Sequence, residues 1–129
     1  MLAKSSMLVL GFLLLPNISS GHHSHVNYAV SEFTHLEGIV REVHLINPHS
    51  WIYLEVQDDQ DEPAIWALES TSPEGLRRVG VLPDFVKVGD RVSVRCHRQR
   101  DNHNACLLGF LTPLHGDSDR GHGVEREWD

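Results

Sequence analysis

The chain of 129 residues carries 18 acidic against 11 basic side chains, a formal net charge of −7 with histidine neutral. That balance argues against a nucleic-acid partner, which needs a basic footprint, and against docking on anionic lipid. With 40% hydrophobic residues the chain can build a core, though a modest one.

The first element in chain order is an export signal. Met1-Leu2-Ala3-Lys4 precedes an apolar stretch, Met7 to Leu15, and a small-residue exit ending Ser19-Ser20-Gly21. Charged, apolar and small segments in that order make a cleavable secretory signal. The apolar stretch is too short to cross a bilayer, which takes about 20 residues. Residues 1–21 are therefore expected to be removed, with the cut before His22 and no membrane anchor left behind. The expected location is outside the cytoplasm, in a bacterial periplasm. What remains is roughly 108 residues, one ordinary domain. All ten histidines follow the signal.

Residues 22–33 are polar and without period, and read as an extended, His-rich arm. Thr34 to Leu45 reads as a long strand. Leu36, Gly38 and Val40 alternate, while Val43 and Leu45 alternate one step out of phase. A bulge near Arg41-Glu42 puts both sets on one face. A bent first strand with a glycine suits the corner of a small barrel. Asn47-Pro48-His49 is a turn. Trp51 to Val56 is a second strand, with Ile52, Leu54 and Val56 on one face and Trp51, Tyr53 and Glu55 on the other. Asp58 to Pro63 is an acidic hairpin loop, and Ala64 to Ser70 a third strand.

Ser72-Pro73-Glu74 opens a short helix, with Ser as N-cap and Pro in the first position. Leu76 and Val79 form its apolar side, and Gly80 closes it. Gly89-Asp90 turns into a fourth strand, Arg91 to His97. Gln99 to Asn104 is a polar loop before a fifth strand, Ala105 to Leu111. Residues 115–129 are Gly-rich and charged, and are expected to be disordered. The fold class is mainly β: an OB-like five-stranded barrel over residues 34–114, with one short helix between strands three and four. An open antiparallel sheet with one covering helix is the alternative.

Several of these elements together resemble a known family. They are His22-His23-Ser24, Leu36-x-Gly38-x-Val40, Asn47-Pro48-His49-x-Trp51-Ile52, Trp66-x-x-Glu69, Ser72-Pro73 with Leu76-x-Arg78, and Gly89-Asp90-x-Val92. They resemble domain-of-unknown-function family 6152, small exported bacterial proteins. The resemblance implies export, an OB-like domain and a His-His-Ser start, and no activity. The chain departs from that pattern at His25, where an aromatic is usual, at Val81, where a Trp is usual, and at its two cysteines.

Three constellations can carry chemistry. The first is His22, His23 and His25. A cut before His22 would leave a terminal histidine, whose amine and ring nitrogen chelate one metal. Imidazole and amine nitrogens suit Cu(II), Ni(II) or Zn(II). A cut before Gly21 would instead put a histidine third from the amine, also a Cu(II) or Ni(II) arrangement. A solvated arm that merely tolerates histidine is the bland reading. The second is the loop end of the barrel: Asn47 and His49 in one loop, Arg98, Arg100 and His103 in the other, and Trp51 and Tyr53 on the strand between them. That face would bind a small ligand or contact an envelope protein or glycan. Against it, Asn-Pro-His can be a structural turn. The third is Glu69, which stands without a partner carboxylate and is read as a cap near the helix or a solvent-facing side chain.

Cys96 and Cys106 flank the last hairpin. Pairing about Asp101 would set them opposite each other, within reach of a disulfide. The acidic loop lacks the glycine and closing Glu of a Ca²⁺ loop. No nucleophile elbow, phosphate loop or His-Glu-x-x-His helix is present, so no catalytic residue is assigned. The expected function is that of an exported binding protein holding a transition metal at its N-terminal histidines, with His49 as a further candidate ligand. The alternatives are a copper oxidoreductase at the same terminus and a protein or glycan interaction module. The residues do not specify an oligomeric state.

Overall fold

The computed structural model describes residues 25–129. Five strands close a barrel: β1 (Thr34–His44), β2 (Ser50–Gln57), β3 (Pro63–Ser70), β4 (Arg91–Arg98) and β5 (Ala105–Pro113). Consecutive strands β1–β2, β2–β3 and β4–β5 pair antiparallel, and so do β1 and β4. A parallel β3–β5 pairing, Ala67 to Ala105 through Glu69 to Leu107, closes the cylinder. With helix α1 (Pro73–Arg78) between β3 and β4, the order is that of the expected OB-like barrel.

The first strand bends as its pattern requires. Its register on β2 shifts between Val40 and Glu42, a bulge beside Arg41. The two out-of-phase apolar sets thereby reach the same interior: Val40 is fully buried, and Leu36, Val43 and Leu45 pack against the core. Ile39 pairs with Arg91 of β4 on one side and Glu55 of β2 on the other. At Gly38, just before this crossover, a Cβ would come within 2.2 Å of the Glu55 carbonyl oxygen. Only glycine lets the two backbones approach so closely.

Ser72 caps α1, its hydroxyl accepting from the Gly75 amide at 3.1 Å, and Leu76 enters the core. Cys96 and Cys106 form a disulfide inside the barrel, with no solvent exposure at either residue and Cα atoms 5.5 Å apart. They are diagonal rather than directly opposite. Cys96 faces Leu108 and Cys106 faces Arg98, because the two strands pair about Asn102 and not about Asp101.

Both ends of the described chain depart from expectation. Residues 115–129, expected to be disordered, fold back on the barrel. They form a short 3-10 turn (Ser118–Arg120) and β6 (Arg126–Glu127), which pairs with β5. Trp128 is 1% exposed and joins the core. Its amide donates to the Gly109 carbonyl at 2.8 Å, and its carbonyl accepts from the Ser70 hydroxyl. Composition suggested disorder, but one large aromatic side chain with a pocket outweighs a polar surround. At the other end, the arm is pinned along the end of β4 after a 3-10 turn (His25–Asn27). Tyr28 bridges Gln99, and the Ala29 amide donates to the Arg98 carbonyl at 2.9 Å.

Candidate functional site

The alternation of β2 and β3 sets the outer face of the barrel. Ser50, Ile52 and Leu54 point inward and are fully buried. His49, just ahead of Ser50, and Trp51 therefore belong to the opposite face. On β3 the buried residues are Trp66, Leu68 and Ser70, which leaves Glu69 outward, in register with Trp51. His49 follows the cis Asn47-Pro48 peptide bond at the end of the β1–β2 loop.

Glu69 is the centre of this arrangement. Its Oε1 accepts from His49 Nδ1, and its Oε2 accepts from the Tyr28 hydroxyl. The His49 and Glu69 side chains are only 22% and 17% exposed. A carboxylate oxygen accepts, so the histidine donates from Nδ1. An outer carboxylate orients a metal-ligating histidine by the same kind of contact. Tyr28 is 8% exposed and lies outside the main core cluster. Burial first, then the hydrogen bond and charge of Glu69, then the charge of Asp101 push its phenol far above the ordinary value. It is a donor throughout the neutral range.

The loop between β4 and β5 supports Tyr28 rather than forming a basic face. Arg100 Nε donates to the Tyr28 carbonyl at 3.1 Å. The Arg98 guanidinium lies over the Trp66 ring, 5.0 Å from its centroid. His103 is exposed and pairs with Asp101 at 2.9 Å. Asn47 is exposed in its loop, and Tyr53 meets His44 edge-on at 5.4 Å between ring centroids. The expected face is thus divided. The geometry joins His49 to Glu69 with Trp51 alongside, and gives His103 and both arginines other partners.

Glu69 is not the helix cap or solvent-facing side chain that its isolation in sequence suggested. Its partners are 20 and 41 residues away in the chain, a spacing no local motif displays. Strand alternation alone could have placed it beside Trp51. Nothing in the sequence marked Tyr28. Of the metal-ligand candidates, His22 and His23 lie outside the described residues, and His25 opens the 3-10 turn that leads to Tyr28. Among the described residues, no group of three or more His, Cys, Asp or Glu side chains is placed to hold a metal ion.

No curated protein and no solved structure matches the chain. The model of a family of unknown function, DUF6152, matches residues 12–108, and the chain belongs to that family.

Proposed function

We propose that this protein is an exported binding protein that holds a transition metal ion, Cu(II) foremost, between His49 and the N-terminal histidines His22, His23 and His25. The observation that carries the reading is the hydrogen bond from His49 Nδ1 to Glu69. It holds the ring in one orientation, as an outer carboxylate does for a metal-ligating histidine. One imidazole does not hold a metal, so the remaining donors come from elsewhere in the chain. Tyr28 bonds to the same carboxylate as His49, and only a handful of residues separate it from His22 and His23. A chain spans at most about 3.5 Å per residue, so these histidines are tethered within reach of His49. Signal cleavage would supply the last component, a free amine beside an imidazole. Amine and imidazole nitrogens favour Cu(II) in the affinity order of divalent ions.

Copper titration of three proteins tests this: the chain beginning at His22, the same chain with one added N-terminal residue, and His49→Ala. The first binds tightest, and each change weakens binding by at least about tenfold. Equal binding by all three, or none by any, removes the proposal.

A further inference from the structure

We infer that the outer edge of β5 and the pocket beside it form a peptide-binding site, filled here by the chain's own C-terminal segment. The ligand class is an extended peptide with a carboxylate three residues ahead of a tryptophan. The site stands apart from the metal reading and uses none of its residues.

The barrel closes without the segment. β5 pairs with β4 along one edge, and on its other edge the parallel pairing with β3 covers only Ala105 to Leu107. Beyond Leu107, β6 is the neighbour on that edge among the described strands, at Phe110 and Leu111. A strand edge offers its backbone donors and acceptors to any extended chain. Adding a strand to such an edge is a general mode of peptide recognition. Main-chain bonds supply the affinity, and side-chain pockets supply the specificity.

Both components are present. The Trp128 amide donates to the Gly109 carbonyl at 2.8 Å. Its carbonyl accepts from the Thr71 amide at 3.3 Å and from the Ser70 hydroxyl. The indole ring enters the core beside Phe85. Three residues earlier, the Glu125 carboxylate meets Arg95, Nη2 to Oε1 at 2.7 Å and Nε to Oε2 at 3.1 Å. The Arg95 guanidinium lies over the rings of Phe110 and Phe33, 4.1 and 5.0 Å from their centroids. Those rings belong to β5 and to the residue before β1, so the barrel itself holds the guanidinium where it receives a carboxylate.

The attachment of the segment suits exchange. The chain enters it through Gly121 and Gly123, both in left-handed backbone. Glycine regains more conformational freedom on release than any other residue. The Trp128 indole N–H is buried and has no acceptor among the described residues. A buried donor without an acceptor costs free energy, so this occupant is held less tightly than its burial alone implies.

The test uses Trp128→Ala in the full mature protein, which removes the anchor and keeps the strand edge. The probe is a synthetic peptide of residues 122–129, capped at both ends, and binding is measured by isothermal titration calorimetry. The peptide binds W128A. Its affinity falls by at least about a hundredfold when its own tryptophan is alanine, the loss that deleting a buried aromatic brings. Changing the peptide's Glu125 to Gln weakens binding by about fivefold, the upper range for an exposed ion pair. The parent protein binds the peptide about a hundredfold more weakly than W128A, because its tethered segment competes at a millimolar effective concentration. No binding by folded W128A overturns the inference, and so does equal binding by the parent or an unchanged affinity of either altered peptide. Where W128A does not fold, the peptide is titrated to millimolar concentration into the ¹⁵N-labelled parent. Movement of the Trp128 indole resonance away from its buried position upholds the inference, and an unmoved resonance overturns it.

Discussion

Asp90 and Arg120 close a two-pronged ion pair, Nη1 to Oδ2 at 2.7 Å and Nη2 to Oδ1 at 3.0 Å. It joins the turn before β4 to the C-terminal segment. The Lys87 amide adds a third donor to the same carboxylate at 2.8 Å. Burial works to raise the Asp90 carboxyl. The Arg120 hydrogen bonds, the Lys87 amide and the charges of Arg120 and His115 outweigh it and hold the group below its ordinary value.

This pair predicts an acid-sensitive attachment. A depressed carboxyl contributes stability that is complete above its unfolded value of about 3.9 and is lost as pH falls below it. Asp90→Asn should therefore unfold at lower urea than the parent at pH 7. The gap between the two should narrow at pH 3. Urea midpoints at both pH values check it, and a gap that widens on acidification contradicts it.

Trp128 makes the C-terminal segment part of the core. It sits 6.3 Å from Phe85 between ring centroids and is nearly inaccessible to water. Trp128→Ala should cost about 3–5 kcal/mol, the usual range for deleting a buried large aromatic. Urea unfolding followed by circular dichroism measures it. A loss below about 1 kcal/mol, ordinary for a surface position, would show that the segment does not hold the barrel together.

The Cys96–Cys106 bond closes a short loop, with a sequence separation of 10. In the loop-entropy model a link of that length contributes about 2–3 kcal/mol. Replacing both cysteines with Ala should lower stability by about that much and leave the fold in place. Both sulfurs lie in the core, so mild reductant should leave the bond intact in the native protein and cleave it once urea opens the barrel. Rapid reduction under native conditions would contradict the buried placement.

The Tyr28 phenol should stay protonated well past the ordinary tyrosine value of about 10 in an ultraviolet pH titration. A raised value means its contribution to stability is complete below the unfolded value of about 10 and is lost only above it, so it adds no pH dependence between about 5 and 9. Glu69→Gln should lower the titration midpoint without bringing it to the ordinary value, because burial is the larger cause and remains. A midpoint unaffected by Glu69→Gln would remove the hydrogen bond from the account.

Patterns of short range carried most of the barrel. The phase slip between Val40 and Val43 foretold the bulge, and Ser72-Pro73 the helix start. The two cysteines also foretold their link, though not its diagonal placement. The site was legible only in pieces. His49 stood out as part of a turn and Glu69 as a lone carboxylate, and their contact crosses from the β1–β2 loop to β3.

By itself, then, the order of residues determined where strands and helix begin, which side chains face inward, and that the barrel is of the OB type. Those features depend on alternation and capping, interactions between near neighbours in the chain. Only the closed tertiary structure decided that Tyr28, His49 and Glu69 meet, and that Trp128 returns to the core from the far end. Such contacts join residues tens of positions apart. They form because barrel closure brings those surfaces together, and no local periodicity records that geometry.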